Sequence, residues 1–282
     1  MTQKLPIGVF DSGIGGLTVL SELVTQLPEE SFIYLGDTAR LPYGTKSPET
    51  VTRYALAAAR FLMARGIKLL VVACNTASAT ALPALRRALP VPVLGVVEPA
   101  AQAAARRARR VVGIIGTEST VASGVYQRLL SALRPELKLL AQACPLFVPL
   151  AEEGWFDHPI TRQVAEVYLA PLREAGVDTV VLGCTHYPLL TRPIAQALGP
   201  EVALINAGRE VARQAGELLL REGLLGAQKQ GEVTLLVTDA APRVRRLAGA
   251  IIPAVADRLE LVDLTERRSP GRSYVGSPRL TG

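Results

Sequence analysis

Short, nearly unbroken apolar runs recur along the chain at residues 6–10, 32–35, 69–73, 93–97, 111–115, 179–183 and 233–237. They are rich in Val, Ile and Leu and bounded by Gly, Pro or polar residues, the pattern of strands buried on both faces. Between most of them lie helical periodicities, so β and α alternate and the sheets are expected to be mainly parallel. Two helices carry clear punctuation. Ser47-Pro48 opens one that runs to Gly66, and His158-Pro159 opens another that ends near Gly176, with proline at the first helical position and glycine past the last turn. Each of these helices delivers the chain into a strand that ends in a cysteine.

Those two segments form a repeat. Residues 66–76 read Gly-Ile-Lys-Leu-Leu-Val-Val-Ala-Cys-Asn-Thr, and residues 176–186, 110 positions later, read Gly-Val-Asp-Thr-Val-Val-Leu-Gly-Cys-Thr-His. A weaker echo relates residues 7–12 to residues 112–117. The expected fold is therefore α/β, with two similar lobes. Each is a mainly parallel sheet flanked by helices, the two are related by pseudo-symmetry, and the active site lies in the cleft between them. One lobe is expected to comprise residues 1–97 plus 209–264 and the other residues 98–208, with a flexible basic tail at 265–282.

Composition narrows the class. At 282 residues and 49% hydrophobic content the chain is long enough for two cores. No apolar stretch approaches the ~18 residues of a membrane span, and the first ten residues lack the design of a signal peptide, so the expected location is cytoplasmic. Three cysteines, an odd number, are expected to stay reduced there. Zinc-type Cys/His spacing is missing, and no metal is expected. Half of the net charge of +6 sits in residues 265–282, where Arg267, Arg268, Arg272 and Arg279 face only Glu266. Arg106, Arg107, Arg109 and Arg110 close a helix-like segment, where cations suit the macrodipole. Both clusters read as solvated surface, which argues against a nucleic-acid partner.

In parallel sheets, ligands gather beyond the carboxyl ends of the strands. Asp11-Ser12, Asp37-Thr38, Cys74-Asn75-Thr76, Thr117 and Cys184-Thr185-His186 all fall at such ends. Two thiols presented by similar half-structures can reach one carbon from opposite faces, as inversion of a stereocentre requires. Cys144, among apolar neighbours, reads as a small core residue. His186, two residues beyond Cys184, suits an acid/base helper, whereas His158 is accounted for by the helix start. The segment Asp11-Ser12-Gly13-Ile14-Gly15-Gly16 lacks both full dinucleotide spacing and a Walker lysine; a small carboxylate at the helix N-terminus, or mere close packing, would each explain it. The lysines, Lys4, Lys46, Lys68, Lys138 and Lys229, avoid the strand-end motifs. A pyridoxal Schiff base is therefore not expected, and the chemistry is expected to need no cofactor.

Five blocks resemble bacterial glutamate racemases, in the order found in that family and spanning residues 7–190. They are Phe10-Asp11-Ser12-Gly13-Ile14-Gly15-Gly16, Leu41-Pro42-Tyr43-Gly44, Ala73-Cys74-Asn75-Thr76-Ala77-Ser78, Val148-Pro149-Leu150-Ala151-Glu152 and Gly183-Cys184-Thr185-His186-Tyr187-Pro188. The resemblance implies cofactor-independent interconversion of L- and D-glutamate, feeding peptidoglycan synthesis, by a homodimer. It implies that Cys74 and Cys184 are the acid/base thiols, that Asp11 and His186 assist the first and second thiol respectively, and that Glu152 is a further acid at the site. The adjacent Glu153 is not distinguished from Glu152 by sequence. It further implies that Asp11, Ser12, Tyr43, Gly44, Asn75, Thr76, Thr117, Thr185 and His186 hold the amino acid. Aspartate racemase or a related isomerase is the alternative enzyme, because the thiol pair reads Cα and not side-chain length. A two-lobed amino-acid-binding protein is the non-enzymatic one.

Overall fold

The computed structural model describes residues 2–226, 230–239 and 242–264; the basic stretch 265–282, expected to be a flexible tail, lies outside the described residues. Among the described residues, ten strands form two wholly parallel sheets. They are β1 (Ile7–Asp11), β2 (Phe32–Gly36), β3 (Leu69–Val72), β4 (Val93–Gly95), β5 (Val111–Gly116), β6 (Lys138–Ala143), β7 (Thr179–Gly183), β8 (Ala203–Asn206), β9 (Val233–Val237) and β10 (Leu259–Leu261).

The first sheet has the order β10-β9-β2-β1-β3-β4 and the second β6-β5-β7-β8. Removing β9 and β10 leaves β2-β1-β3-β4, the same order as the second sheet with each strand replaced by its counterpart. The repeat seen in the sequence is thus a four-stranded unit used twice, with β9 and β10 added beside β2. Parallel strands paired in register end together on one edge, so Asp11 at the end of β1 and Cys74 just beyond β3 share an edge, as do Thr117 beyond β5 and Cys184 beyond β7.

Both punctuated helices form. Ser47 caps Pro48–Met63 by accepting from the Thr50 amide at 3.3 Å, and His158 Nδ1 caps Pro159–Glu174 by accepting from the Ile160 amide at 3.2 Å. Gly66 and Gly176 both turn the chain at positive φ, +72° and +69°, a conformation that costs glycine nothing. The run at 93–97 is shorter as a strand than expected. Val97 instead opens the helix Val97–Arg107, whose first turn contains Glu98 and Pro99; an acid and a proline both suit that position.

This helix joins the lobes. Ala100, Ala101 and Ala104 are at most 1% exposed and share one apolar cluster with Ile7 and Leu17 of the first lobe and Val112 and Val181 of the second. Separate clusters back the outer faces of the two sheets, around Phe10 and Leu70 in one and Leu169 and Val180 in the other. Among the described residues no helix is long and apolar enough to cross a membrane.

At the edge of the first sheet remote from the strand ends that carry the cysteines, Lys68 is buried with a carboxylate partner. Its Nζ lies 2.5 Å from Glu30 Oε2 and donates to the carbonyls of Gln3 and Leu224 at 2.7 and 2.8 Å. Glu30 Oε1 accepts from the Gly226 amide at 2.6 Å. One ammonium therefore ties the N-terminal segment and the approach to β9 onto the base of the sheet. Removing one member of such a pair strands the other charge in the interior. Lys68→Ala is expected to lower the unfolding free energy in urea by about 3–5 kcal/mol; a loss below about 1 kcal/mol would show that the pair does not hold this corner.

Candidate active site

Asp11, at the end of β1, is fully buried. Its Oδ2 accepts from the amides of Gly13 at 2.9 Å and Gly16 at 3.0 Å, while Oδ1 is buried without a hydrogen-bond partner. The glycine-rich loop thus wraps its amides around its own aspartate. These two amides are taken by the Asp11 side chain and are not offered to an incoming carboxylate. Burial pushes the Asp11 carboxyl above the usual carboxylate range, opposed first by the charge of His186 and then by the amides of Gly16, Gly13 and Ser12.

Cys74 sits between β3 and the short helix Asn75–Thr80, which it caps: Sγ accepts from the Ala77 amide at 3.4 Å. Burial, followed by the neighbouring Asp11 charge, pushes its thiol up to about 12, with the Ser12 hydroxyl and the Ala77 amide pulling the other way. At neutral pH this sulfur is a proton carrier. Its counterpart has different surroundings. Cys184 Sγ lies 3.8 Å from His186 Nδ1, and His186 Nε2 lies 3.3 Å from Glu152 Oε1, an ion-pair distance off the line of a hydrogen bond. Burial alone would drive the proton off His186, but Cys184 and Glu152 outweigh it and raise the imidazole to about 10. Between the two candidate acids the geometry discriminates: Glu152 is buried against His186, whereas Glu153 is about half exposed and pairs with Arg246.

The remaining residues meet across the lobe boundary. Thr76 Oγ1 of the first lobe is 3.1 Å from Thr117 Oγ1 and 3.3 Å from Thr120 Oγ1 of the second, which are themselves 3.0 Å apart. Tyr126 donates to Asn75 Oδ1 at 2.7 Å, and Thr18 donates to the Thr185 carbonyl at 2.8 Å. A Cβ on Gly44 would meet the Thr117 side chain at 3.0 Å, so this turn also abuts the other lobe. Ser12 is half-buried beside Cys74. Tyr43 opens the short 3-10 turn Tyr43–Thr45. Its ring is buried and its hydroxyl donates to Asp37 Oδ2 at 2.6 Å, so the phenol belongs to a polar knot with Thr238 and Arg40. Cys144 is fully buried, with its carbonyl accepting from Tyr187 at 2.9 Å.

Thr18, Thr120 and Tyr126 were not singled out by sequence. Each lies in an ordinary helical stretch, and its partner in the other lobe is 44 to 167 residues away. Only the Thr117-x-x-Thr120 spacing, an N-cap followed three positions later by a second hydroxyl, was locally visible.

The sequence profile of the Asp/Glu/Hydantoin racemase family matches residues 7–215. The chain belongs to this racemase family. A glutamate racemase from Geobacter metallireducens is 56% identical over 236 residues, covering 83% of this chain and 87% of its own length. Among solved structures of the racemases, a glutamate racemase isoform from Bacillus anthracis superposes with a TM-score of 0.90 at 37% identity, covering 94% of this chain and 100% of that one. The Francisella tularensis glutamate racemase in complex with D-glutamate superposes with a TM-score of 0.88 at 35% identity, covering 93% and 99%. This family membership agrees with the resemblance carried by the five sequence blocks and with the two-lobed α/β fold.

In this racemase fold Gly15 lies directly against the Thr185-His186 segment of the other lobe. A Cβ there would stand 2.6 Å from both His186 Nδ1 and Thr185 Oγ1, so only a hydrogen at this position lets the Cys184 loop seat. Gly15→Ala is expected to displace that loop, at a cost of about 1–3 kcal/mol in unfolding free energy. The histidine should leave its pocket: its imidazole, followed by NMR titration, should fall from about 10 toward the ordinary histidine range. An unchanged titration would mean that the neighbouring chain gives way instead.

Proposed function

We propose that this chain interconverts L- and D-glutamate by moving protons at Cα between the thiols of Cys74 and Cys184, without a cofactor. The observation that carries the reading is the pair of buried cysteines at equivalent strand ends of two pseudo-symmetric lobes, in unequal electrostatic settings. The names of the relatives and the D-glutamate complex support glutamate as the substrate. The supply of D-glutamate for peptidoglycan follows from that reading.

The mechanism requires one sulfur as thiolate and the other as thiol. The thiolate takes the Cα proton: the C–H bond breaks, an S–H bond forms, and the electron pair moves into the α-carboxylate as an enediolate. The opposite thiol then gives its proton to the other face and becomes the thiolate. Cys74, raised by burial and Asp11, is held as the donor. The cationic His186 attracts negative charge developing on the Cys184 side. The opposite enantiomer runs the transfers in reverse from the swapped ionisation state. Asn75, Thr76 and Thr185, buried at the strand ends, and the half-buried Thr117 supply amide and hydroxyl donors to the carboxylates, and the low-dielectric site strengthens each such contact. The lobes are taken as residues 1–97 with 209–264 and residues 98–208, supported by the position of β9 and β10 in the first sheet. A homodimer in the cytoplasm belongs to the same proposal; equilibrium sedimentation reads the stoichiometry.

Incubation of the pure protein with L-glutamate in D2O, with no cofactor added, should give loss of optical activity and of the Cα proton NMR signal together. Binding without exchange would indicate an amino-acid-binding protein, and faster turnover of aspartate would indicate the alternative racemase. Cys74→Ser and Cys184→Ser should each lower racemisation by about 10²–10⁴-fold; wild-type turnover in either would end the two-thiol scheme.

The pH profile of kcat/KM should be bell-shaped, reporting values that belong to the coupled groups. With the imidazole raised to about 10, its cationic form persists through neutral pH and is lost as pH rises through that value. Activity should therefore fall on the alkaline side near pH 10, and His186→Asn should lower the neutral-pH rate and remove that limb. A rate that climbs without a maximum to high pH contradicts this assignment.

A further inference from the structure

We propose that Tyr126 is a positioning residue that fixes the polarity of the Asn75 carboxamide, so that Asn75 offers its N–H donors, and not its carbonyl oxygen, to an amino-acid carboxylate in the cleft. The proposal rests on the reading of Asn75 as a substrate-holding residue.

A carboxamide can turn either end to a ligand, and only the N–H end attracts a carboxylate. Asn75 opens the helix that follows Cys74 and is 3% exposed, while Tyr126 lies on the helix Val125–Leu133 of the other lobe and is 1% exposed. The Tyr126 hydroxyl donates to Asn75 Oδ1 at 2.7 Å. With its oxygen turned to the phenol, the amide's NH2 is the end held away from Tyr126 and left to present. The donor is secure, because burial and the nearby Cys184 charge both hold the phenol in its protonated form. Its ring is fixed as well: a Cβ on Gly183, the residue before Cys184, would stand 3.4 Å from Tyr126 Cε2. One side chain of the second lobe thus packs against the strand that leads to one thiol and orients the residue beside the other. Losing this bond would leave the buried Asn75 oxygen without its donor or let the amide turn over. Either outcome weakens carboxylate binding and leaves the two sulfurs and their helpers untouched.

The test is a double-mutant cycle on racemisation kinetics with Tyr126→Phe and Asn75→Ala. Tyr126→Phe removes one oxygen and keeps the ring; it is expected to raise KM about tenfold with kcat within about threefold of wild type. In the Asn75→Ala background, which itself raises KM, the same substitution should have no further effect, since a residue acting through Asn75 has nothing left to orient. Additive losses, an unchanged KM in Tyr126→Phe, or a fall confined to kcat would each overturn the proposal. If Asn75→Ala leaves KM at the wild-type value, the reading of Asn75 fails and the proposal with it, whereas racemisation by wild-type protein still stands. Asn75→Asp provides a second measurement should Tyr126→Phe fold poorly. It keeps an acceptor for the phenol and removes both N–H donors, so KM should rise by at least tenfold with the fold intact by circular dichroism. An unchanged KM there also overturns the proposal.

Discussion

The structure is organised around one buried carboxylate. Asp11 ends the central strand of the first sheet, is fully buried, and has one oxygen with no hydrogen bond. A charge so placed is costly unless neighbours oppose the loss of water. Four neighbours do so: His186 across the lobe boundary, and the amides of Gly16, Gly13 and Ser12 in the loop that follows, with Gly13 and Gly16 donating directly. Burial raises Cys74 first and the same carboxylate adds to it, so the first thiol responds to a group whose own charge is favoured by the second thiol's histidine. Asp11 and His186, expected from sequence to serve one cysteine each, are electrostatically linked, and Glu152 beyond His186 extends the chain of charges. The ionisation of the site therefore depends on the contact between the lobes, where the glycine-rich loop lies against the Cys184-Thr185-His186 loop.

The two halves share strand order and differ just where the chemistry is set. Cys74 is followed by Asn-Thr-Ala-Ser, which turns at once into a helix, so its sulfur becomes an N-cap receiving a backbone amide. Cys184 is followed by Thr-His-Tyr-Pro, where the helical start is delayed to a 3-10 turn at Tyr187–Leu190. A proline in that turn has no amide to give, and the sulfur faces an imidazole instead. A few residues after each cysteine thus convert a symmetric backbone into an asymmetric pair, with no change to the sheets that carry them.

Much of this was legible because the central strands are buried on both faces and must be apolar along their whole length: β1, β3, β5 and β7 show as continuous runs. The strands that escaped notice lie at sheet edges or are short. β6, Lys138–Ala143, reads Lys-Leu-Leu-Ala-Gln-Ala, is only partly buried and lacks β-branched residues, so its local preference is helical. β8 has four residues and β10 three, too few for a period to declare itself. Among site residues, those on the cysteine strands and the glycine loop were readable because a polar residue at the end of a buried strand is conspicuous. Thr18, Thr120 and Tyr126 were not, since a threonine or tyrosine within a helix is unremarkable until the other lobe supplies its partner.

The asymmetry of the two thiols bears on what such a catalyst can express. An amino acid and its mirror image have equal free energies in achiral water, so the ratio of kcat/KM in the two directions is fixed at one, whatever the protein does. Unequal helpers cannot favour one enantiomer at equilibrium. They can only divide the cost differently between binding and chemistry, so that kcat and KM differ between directions while their quotient does not, and so that isotope effects differ according to which sulfur takes the proton. A carboxylate beside one thiol and an imidazolium beside the other are therefore compatible with even-handed racemisation. On the proposed two-thiol scheme, backbone pseudo-symmetry supplies a sulfur for each face of Cα, and the unequal charges set how the barrier is divided between the two proton transfers.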